Sequence, residues 1–364
     1  MPFTIAVATN IAAEILEGYQ RPKNPKDALL RVANKPLLRI LMATKEDYGS
    51  AGWAAGADLT TAETNIREYI LGDQMKSQAG FYHGTRGDGT LTFKSSTGGV
   101  QTICPTGHAH AGWSITHDEL NAAGIHVTNN RATTTTAERN VLIDFLESRK
   151  AEYLESIDYM RNKTLFLDGT QEADIYAGLK SILVDDPTAA GNTLGVSRAN
   201  LWWRHIADTG VGGAGAKPQY SKANQTLSER IISVFKYDLP TFGGRPDACI
   251  AGRDMCDALD REARAKGTLV QYGWADKMTN LNVKGIKFGD LEVEHEPLLD
   301  ELGESKRLYA WDTRRLRLRP QREEWGKVIA QNQPPDQLVM LTSTLDRAAM
   351  TCRQMDCNYV CEMA

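Results

Sequence analysis

The sequence predicts an α+β protein, and three observations carry that reading. A long amphipathic helix pattern fills residues 137–166 (AERNVLIDFLESRKAEYLESIDYMRNKTLF) and breaks at Asp168-Gly169-Thr170. Residues 178–300 then mix helix and strand signals without regular βαβ repetition. Near the C-terminus, Arg315-Leu316-Arg317-Leu318-Arg319 alternates strictly, the period of a strand with leucines facing in and arginines facing out. Composition sets the outer bounds. At 364 residues the chain exceeds a typical single domain, and 41% hydrophobic residues suffice for real cores. A charged fraction of 24% and a net charge of −4 imply neither disorder nor binding of nucleic acid by bulk charge. No run of 18 apolar residues marks a membrane span, and the opening MPFTIAVATN lacks an early Lys or Arg of a secretion signal.

Taken in order, residues 1–45 carry two short apolar helical stripes punctuated by Pro22, Pro25 and Pro36. Such a segment cannot bury a core alone and reads as an arm lying on something else. Residues 46–112 are rich in glycine and poor in large aliphatics, with strand-like pieces around Ser95-Ser96-Thr97-Gly98-Gly99. This reads as a long hairpin or flap with little core of its own, an excursion that a partner covers or that serves a function. Residues 113–135 begin with a strand and a short helix. In the long helix, Leu142, Phe145, Leu146, Tyr153, Ile157 and Met160 share one face, and Glu147/Lys150 and Asp158/Arg161 are opposite-charge pairs.

Further along, a helix is expected from Leu227 to Phe235, a buried strand at PDACIAG (Pro246–Gly252) and a helix at RDMCDALDREARAKG ended by Gly267. The remainder is strand-dominated: RLYAWD reads as a short strand, and QLVMLTSTLDRAAMTCRQ as a buried strand interrupted by a polar turn.

Four features invite chemistry. Cys104, His108, His110 and His117 carry zinc-type ligands, and a metal-dependent hydrolase built on 104–117 is one alternative function; the spacing matches no compact zinc pattern. Arg315, Arg317 and Arg319 form a basic row suited either to carboxylates across an interface or, as a second alternative, to nucleic-acid phosphates. GVGGAG (Gly210–Gly215) resembles a phosphate cradle but reads as lacking the strand before it and the helix after it. The six cysteines include no C-x-x-C pair and are expected as free thiols, with Cys352, Cys357 and Cys361 near the C-terminus. No cofactor is implied.

The order of these parts resembles the major capsid proteins of tailed double-stranded DNA bacteriophages, the Hong Kong 97-like fold. The matching parts are the helical arm, the extended loop, the helix ending in LFLDGT, GLKSILVDDP, GVSRANLWWRHIADTG, PDACIAGRDMCDAL, YAWDTRRLRLRP and DQLVMLTSTLDRAAMTCRQM. The resemblance implies an N-terminal arm (1–45), an extended loop region (46–112), a peripheral domain with a spine helix (113–177) and an axial domain (178–307). C-terminal strands (308–364) complete the sheets. It implies a structural, non-enzymatic subunit that self-assembles through pentamers and hexamers into an icosahedral head. That head would enclose double-stranded DNA on its inner face, without a membrane. The subunit would belong to the virion and be assembled in the bacterial host cytoplasm. Scaffolding, portal and decoration proteins are further partner classes. Arg315, Arg317, Arg319 and the loop residue Lys94 are the candidate inter-subunit contacts.

Overall fold

The computed structural model describes residues 35–48, 65–71, 99–122, 152–171, 175–218, 226–241, 243–265, 287–288, 291–322, 324–332 and 339–364. The first half of the expected rod, the tip of the flap and Lys94 lie outside them. The strands are β1 (Asn65–Leu71), β2 (Gly99–Pro105), β3 (Gly107–Thr116), β4 (Asn192–Thr193), β5 (Val196–Ser197), β6 (Ile206–Asp208) and β7 (Ala248–Ala251). They continue with β8 (Lys287–Phe288), β9 (Leu291–His295), β10 (Arg307–Trp311), β11 (Leu316–Pro320), β12 (Lys327–Asn332), β13 (Val339–Cys352) and β14 (Tyr359–Glu362). The helices are α1 (Pro36–Ala43), α2 (His117–Ala122), α3 (152–166), α4 (Leu179–Ile182), α5 (Leu227–Ser233), α6 (Leu239–Thr241), α7 (Arg253–Ala265) and α8 (Pro297–Glu301).

Two sheets organise the chain. In the four-stranded sheet, β13 pairs antiparallel with β3, β11 and β12. In the six-stranded mixed sheet the order is β6-β14-β10-β7-β9-β8, with β6/β14 and β7/β9 parallel. Side chains on this second sheet alternate between two cores, because successive strand residues point to opposite faces. Ala248, Ile250, Tyr309, Trp311 and Val360 join the core that holds α1, α3 and α4. Cys249, Ala251, Leu308, Ala310, Tyr359 and Cys361 join the core under α5 and α7. A sheet buried on both faces needs apolar residues at every position, which is why ACIA and LYAW read as unbroken apolar runs.

Helix α3 is the described part of the predicted rod. Tyr153, Ile157 and Leu165 are buried on its inner face. Its hold on the four-stranded sheet is polar as well as apolar. Arg161 makes a bidentate pair with Asp346 of β13 at 2.7 Å on both arms, and the Tyr153 hydroxyl donates to Thr344 Oγ1 at 2.6 Å. The expected Asp158/Arg161 pair forms at 3.6 Å. The helix ends where anticipated. Gly169 adopts φ +81, and the Asp168 carboxylate accepts from the Thr170 amide and hydroxyl at 3.1 and 2.8 Å. Phe166 then meets Tyr309 edge-on at 5.4 Å, tying the rod to the six-stranded sheet.

Several expectations change. The short strand expected at RLYAWD is β10, while the longer run YAWDTRRLRLRP is not one strand. Backbone continuity breaks at Asp312, whose carboxylate accepts from the Arg314 amide, while Thr313 donates twice to Asp247. The chain leaves one sheet as β10 and enters the other as β11. Conversely, β13 runs through all 14 residues without the expected turn. The 46–112 stretch is not without a core at its foot. β1 and β2 form an antiparallel ribbon whose Ile66, Ile70 and Cys104 enter the main core, and Gly107 already belongs to β3. Helix α5 is capped by the Thr226/Glu229 box and continues through a π-helical turn (Val234–Asp238) into α6, past the expected end at Phe235. The GVGGAG loop does follow a strand, β6, but no helix follows it directly. Its ends close on each other, Gly210 N donating to Gly215 O at 2.8 Å.

His205 anchors the loop before β6. It is 4% exposed, and its Nε2 donates to Val184 O at 2.7 Å. Burial, offset in part by that bond, lowers its pKa to about 4. A folded value below the unfolded 6.5 means that the neutral ring stabilises the fold fully above pH 6.5. That contribution is lost as pH falls toward 4, by up to about 3 kcal/mol. Thermal unfolding of wild type and His205→Gln across this window should show a steeper acid loss in wild type.

Candidate functional site

The basic row of β11 is where the structure concentrates charge. Alternation predicted three outward arginines, and the observed row is graded instead. Arg315 is exposed, Arg317 half-buried and Arg319 only 1% exposed. Two covers account for the difference. Residues 45–48 run beside β11, with Glu46 N donating to Leu318 O and Tyr48 N to Pro320 O, both at 3.0 Å. The β1–β2 ribbon lies over the far end and brings Glu68.

Each cover supplies a carboxylate. Arg319 Nη2 lies 2.6 Å from Glu68 Oε1 and 3.2 Å from Glu46 Oε2. The Arg319–Glu68 contact is a close ionic one without a straight N–H···O line, and Arg319 Nε donates to Thr351 Oγ1 at 3.2 Å. Arg317 Nη1 donates to Glu46 Oε2 at 2.6 Å, and Arg353 Nε stands 3.5 Å from Glu68 Oε2. Burial is the largest single influence on the Glu46 carboxyl and raises it. The Arg317 hydrogen bond and the charges of Arg319 and Arg353 outweigh it, leaving the group below its ordinary value. The cluster thus ties three chain regions together: the 45–48 strap, the foot of the loop ribbon and the end of β13.

Glu68 was legible in principle. In Asn65–Leu71 it holds the buried strand position between Ile66 and Ile70, where a carboxylate demands a buried cation. The glycine-rich surroundings led the segment to be read as a flap. Glu46 and Arg353 carry no comparable local signal.

The Cys/His group does not converge. Cys104 is fully buried beside Cys352, and burial pushes its thiol up to about 12. His108 and His110 are exposed on β3, and the His117 side chain lies outside the described residues. Among the described residues no group of three or more His, Cys, Asp or Glu is placed to hold a metal. Cys352, Cys357 and Cys361 are all 0% exposed free thiols, so none reaches the surface of this chain. Trp203 is core, its indole donating to Thr193 O at 2.9 Å, and Trp202 is its rim. Among the described residues no helix is long and apolar enough to cross a membrane.

No protein-family model and no curated protein sequence matches the chain. Solved structures do. The capsid of Myoviridae phage XM1 is similar with a TM-score of 0.51 at 12% identity, over 90% of this chain and 92% of that one. The capsid asymmetric unit of cyanophage A-1(L) is similar with a TM-score of 0.51 at 14% identity, over 88% of this chain and 96% of that one. The chain therefore has the α+β fold of phage capsid subunits, along nearly its whole length.

Proposed function

We propose that this chain is the structural subunit of an icosahedral phage head, without catalytic activity. The observation that carries the reading is the end-to-end match of fold to two phage capsids, covering 90% and 88% of this chain. In this reading α3 and the four-stranded sheet form the peripheral domain (113–177 with part of 308–364). The six-stranded sheet with α5 and α7 forms the axial domain (178–307, completed by β10 and β14). Residues 1–45 are the arm and 46–112 the extended loop. The principal partner is another copy of the chain, in pentamers and hexamers around double-stranded DNA. Scaffolding, portal and decoration proteins are additional partners, and the setting is the virion after assembly in the host cytoplasm.

Arg315 and Lys94 are the basic residues proposed for contacts between copies. Arg317 and Arg319 belong to the same row, and their guanidiniums already meet Glu46 and Glu68 within the chain. Their part in assembly is to hold the strap and the ribbon in the shape a neighbour meets.

Electron microscopy and sedimentation of the purified chain test this. Shells, tubes or rings of five and six copies are expected. Arg315→Glu should reduce assembly severalfold while leaving the unfolding midpoint unchanged, because the side chain is exposed. Persistent monomers under all solution conditions would overturn the reading.

A further inference from the structure

Helix α1 presents PLLRILMA, a sequence apolar on nearly every side. Leu37, Leu38 and Leu41 are buried, and Ile40 and Met42 pack against the same core. Burial of that kind is non-directional, so it holds the helix down without choosing its rotation or register. The selection falls to two buried polar side chains from far along the chain.

Glu296 is 1% exposed and caps two helices at once. It is the N-cap of its own helix α8, accepting from Leu298 N at 3.3 Å, and it accepts from Leu37 N, in the first turn of α1, at 2.8 Å. Two helix N-termini therefore share one carboxylate, which suits their orphan amides and positive dipole ends. Asn162 of α3 is 3% exposed; its Oδ1 accepts from Leu38 N at 3.1 Å and its Nδ2 donates to Glu296 Oε1 at 2.9 Å. The cap residue of α1 itself, Lys35, contributes no side-chain cap. The nearby ions are matched elsewhere, Lys35 with Glu155 and Arg39 with Glu294, and the His295 ring is hydrogen-bonded to Asp300.

We propose that Glu296 and Asn162 form a polar lock that fixes the register of α1 on the rod. Glu296 faces donors only: two backbone amides and the Asn162 amide. The lock thus accepts an anion at 296 and an amide at 162. Shifting α1 by one residue would bring to Glu296 either Pro36, which has no amide proton, or Leu38, which would in turn bring to Asn162 the Arg39 amide already bonded to Lys35 O. The inference deepens the shell reading, in which α1 belongs to the arm, but its molecular test does not depend on shells.

That test is a polarity swap. Glu296→Gln sets an amide against donors, and Asn162→Asp sets two carboxylates together. The double variant Asn162→Asp/Glu296→Gln restores the donor–acceptor order between the two side chains and towards the Leu37 and Leu38 amides, with the charge moved to 162; only the Leu298 amide, which shares Glu296 Oε1 with Asn162, loses its acceptor. Hydrogen exchange at the Leu37 and Leu38 amides reads the lock directly, with the amide of Met350 in β13 as an internal reference. Each single change should lower protection at Leu37 and Leu38 about tenfold, with Met350 unchanged. The double variant should return to within about twofold of wild type. Unchanged protection in both singles, or a double no better than the worse single, overturns the proposal. If one single variant fails to fold, the other and the double still decide. Assembly of the same proteins is scored separately: a wild type that never assembles sinks the shell reading and leaves the exchange result standing. Wild-type assembly with disordered products from the singles alone supports both.

Discussion

Arg319→Ala should destabilise the subunit by about 3–5 kcal/mol, the range for breaking a buried ion pair from one side. The guanidinium is 1% exposed and Glu68 is 5% exposed, so truncation strands a carboxylate in the core. Arg353 cannot replace it. That side chain is 45% exposed and stands 3.5 Å from Glu68 on the solvent side. Urea unfolding would read the loss as a lower midpoint with an unchanged slope. A second variant separates the charge effect from lost packing. Arg319→Met with Glu68→Leu removes both ions and should recover most of the stability, since a buried pair replaced by apolar side chains is often neutral or better. If the single change is silent, the cluster is not a structural clamp.

Gly107→Ala should be the most damaging glycine-to-alanine change among the described residues. A Cβ there would lie 1.7 Å from Tyr176 N and 2.3 Å from Ile175 C, both backbone atoms. Tyr176 is 0% exposed and cannot retreat. The loop after α3 crosses the start of β3 at van der Waals distance only because that position has no side chain. The expected result is loss of more than about 4 kcal/mol, seen as a failure to obtain soluble, cooperatively unfolding protein. Gly243→Ala is the matched control. Its φ is +76, but nothing lies within 4 Å of the added carbon, so only the backbone cost of about 1–2 kcal/mol applies. Equal behaviour of the two variants would show that the crossing has room to give.

Much of the fold was legible because its signals are local. The strand Ala248–Ala251 and the helix Arg253–Ala265 follow from an apolar run, a following polar break and 3.6-residue spacing. The rod's end at Asp168-Gly169 was legible because a left-handed glycine and an aspartate turn are written in adjacent residues. What was not legible depends on distant partners. The break between β10 and β11 is announced locally by Asp312, whose carboxylate accepts from the Arg314 amide, but its anchoring by Asp247 on Thr313 comes from a distant partner. Arg319 looked like an outward residue because alternation is blind to a second layer, and its cover comes from β1. The site was therefore half visible: the row of arginines from its spacing and Glu68 from its place on a buried strand face, with Glu46 and the pairing itself seen only in three dimensions.

The arm helix raises a matter of timing. Leu37 is capped by Glu296, 259 residues later in the chain, and Glu46 pairs with Arg317, 271 residues later. A ribosome adding ~5–20 residues per second needs roughly 13–50 s to make the acceptor after it has made the donor. Through that interval α1 can meet Asn162, made 124 residues after Leu38, but not the Glu296 carboxylate that completes its cap. The clamp closes only when the chain is nearly finished, so a truncated or stalled product carries an arm without its full seat. Translation order thus leaves the seat of α1 incomplete until residues 296 and 317 have been made.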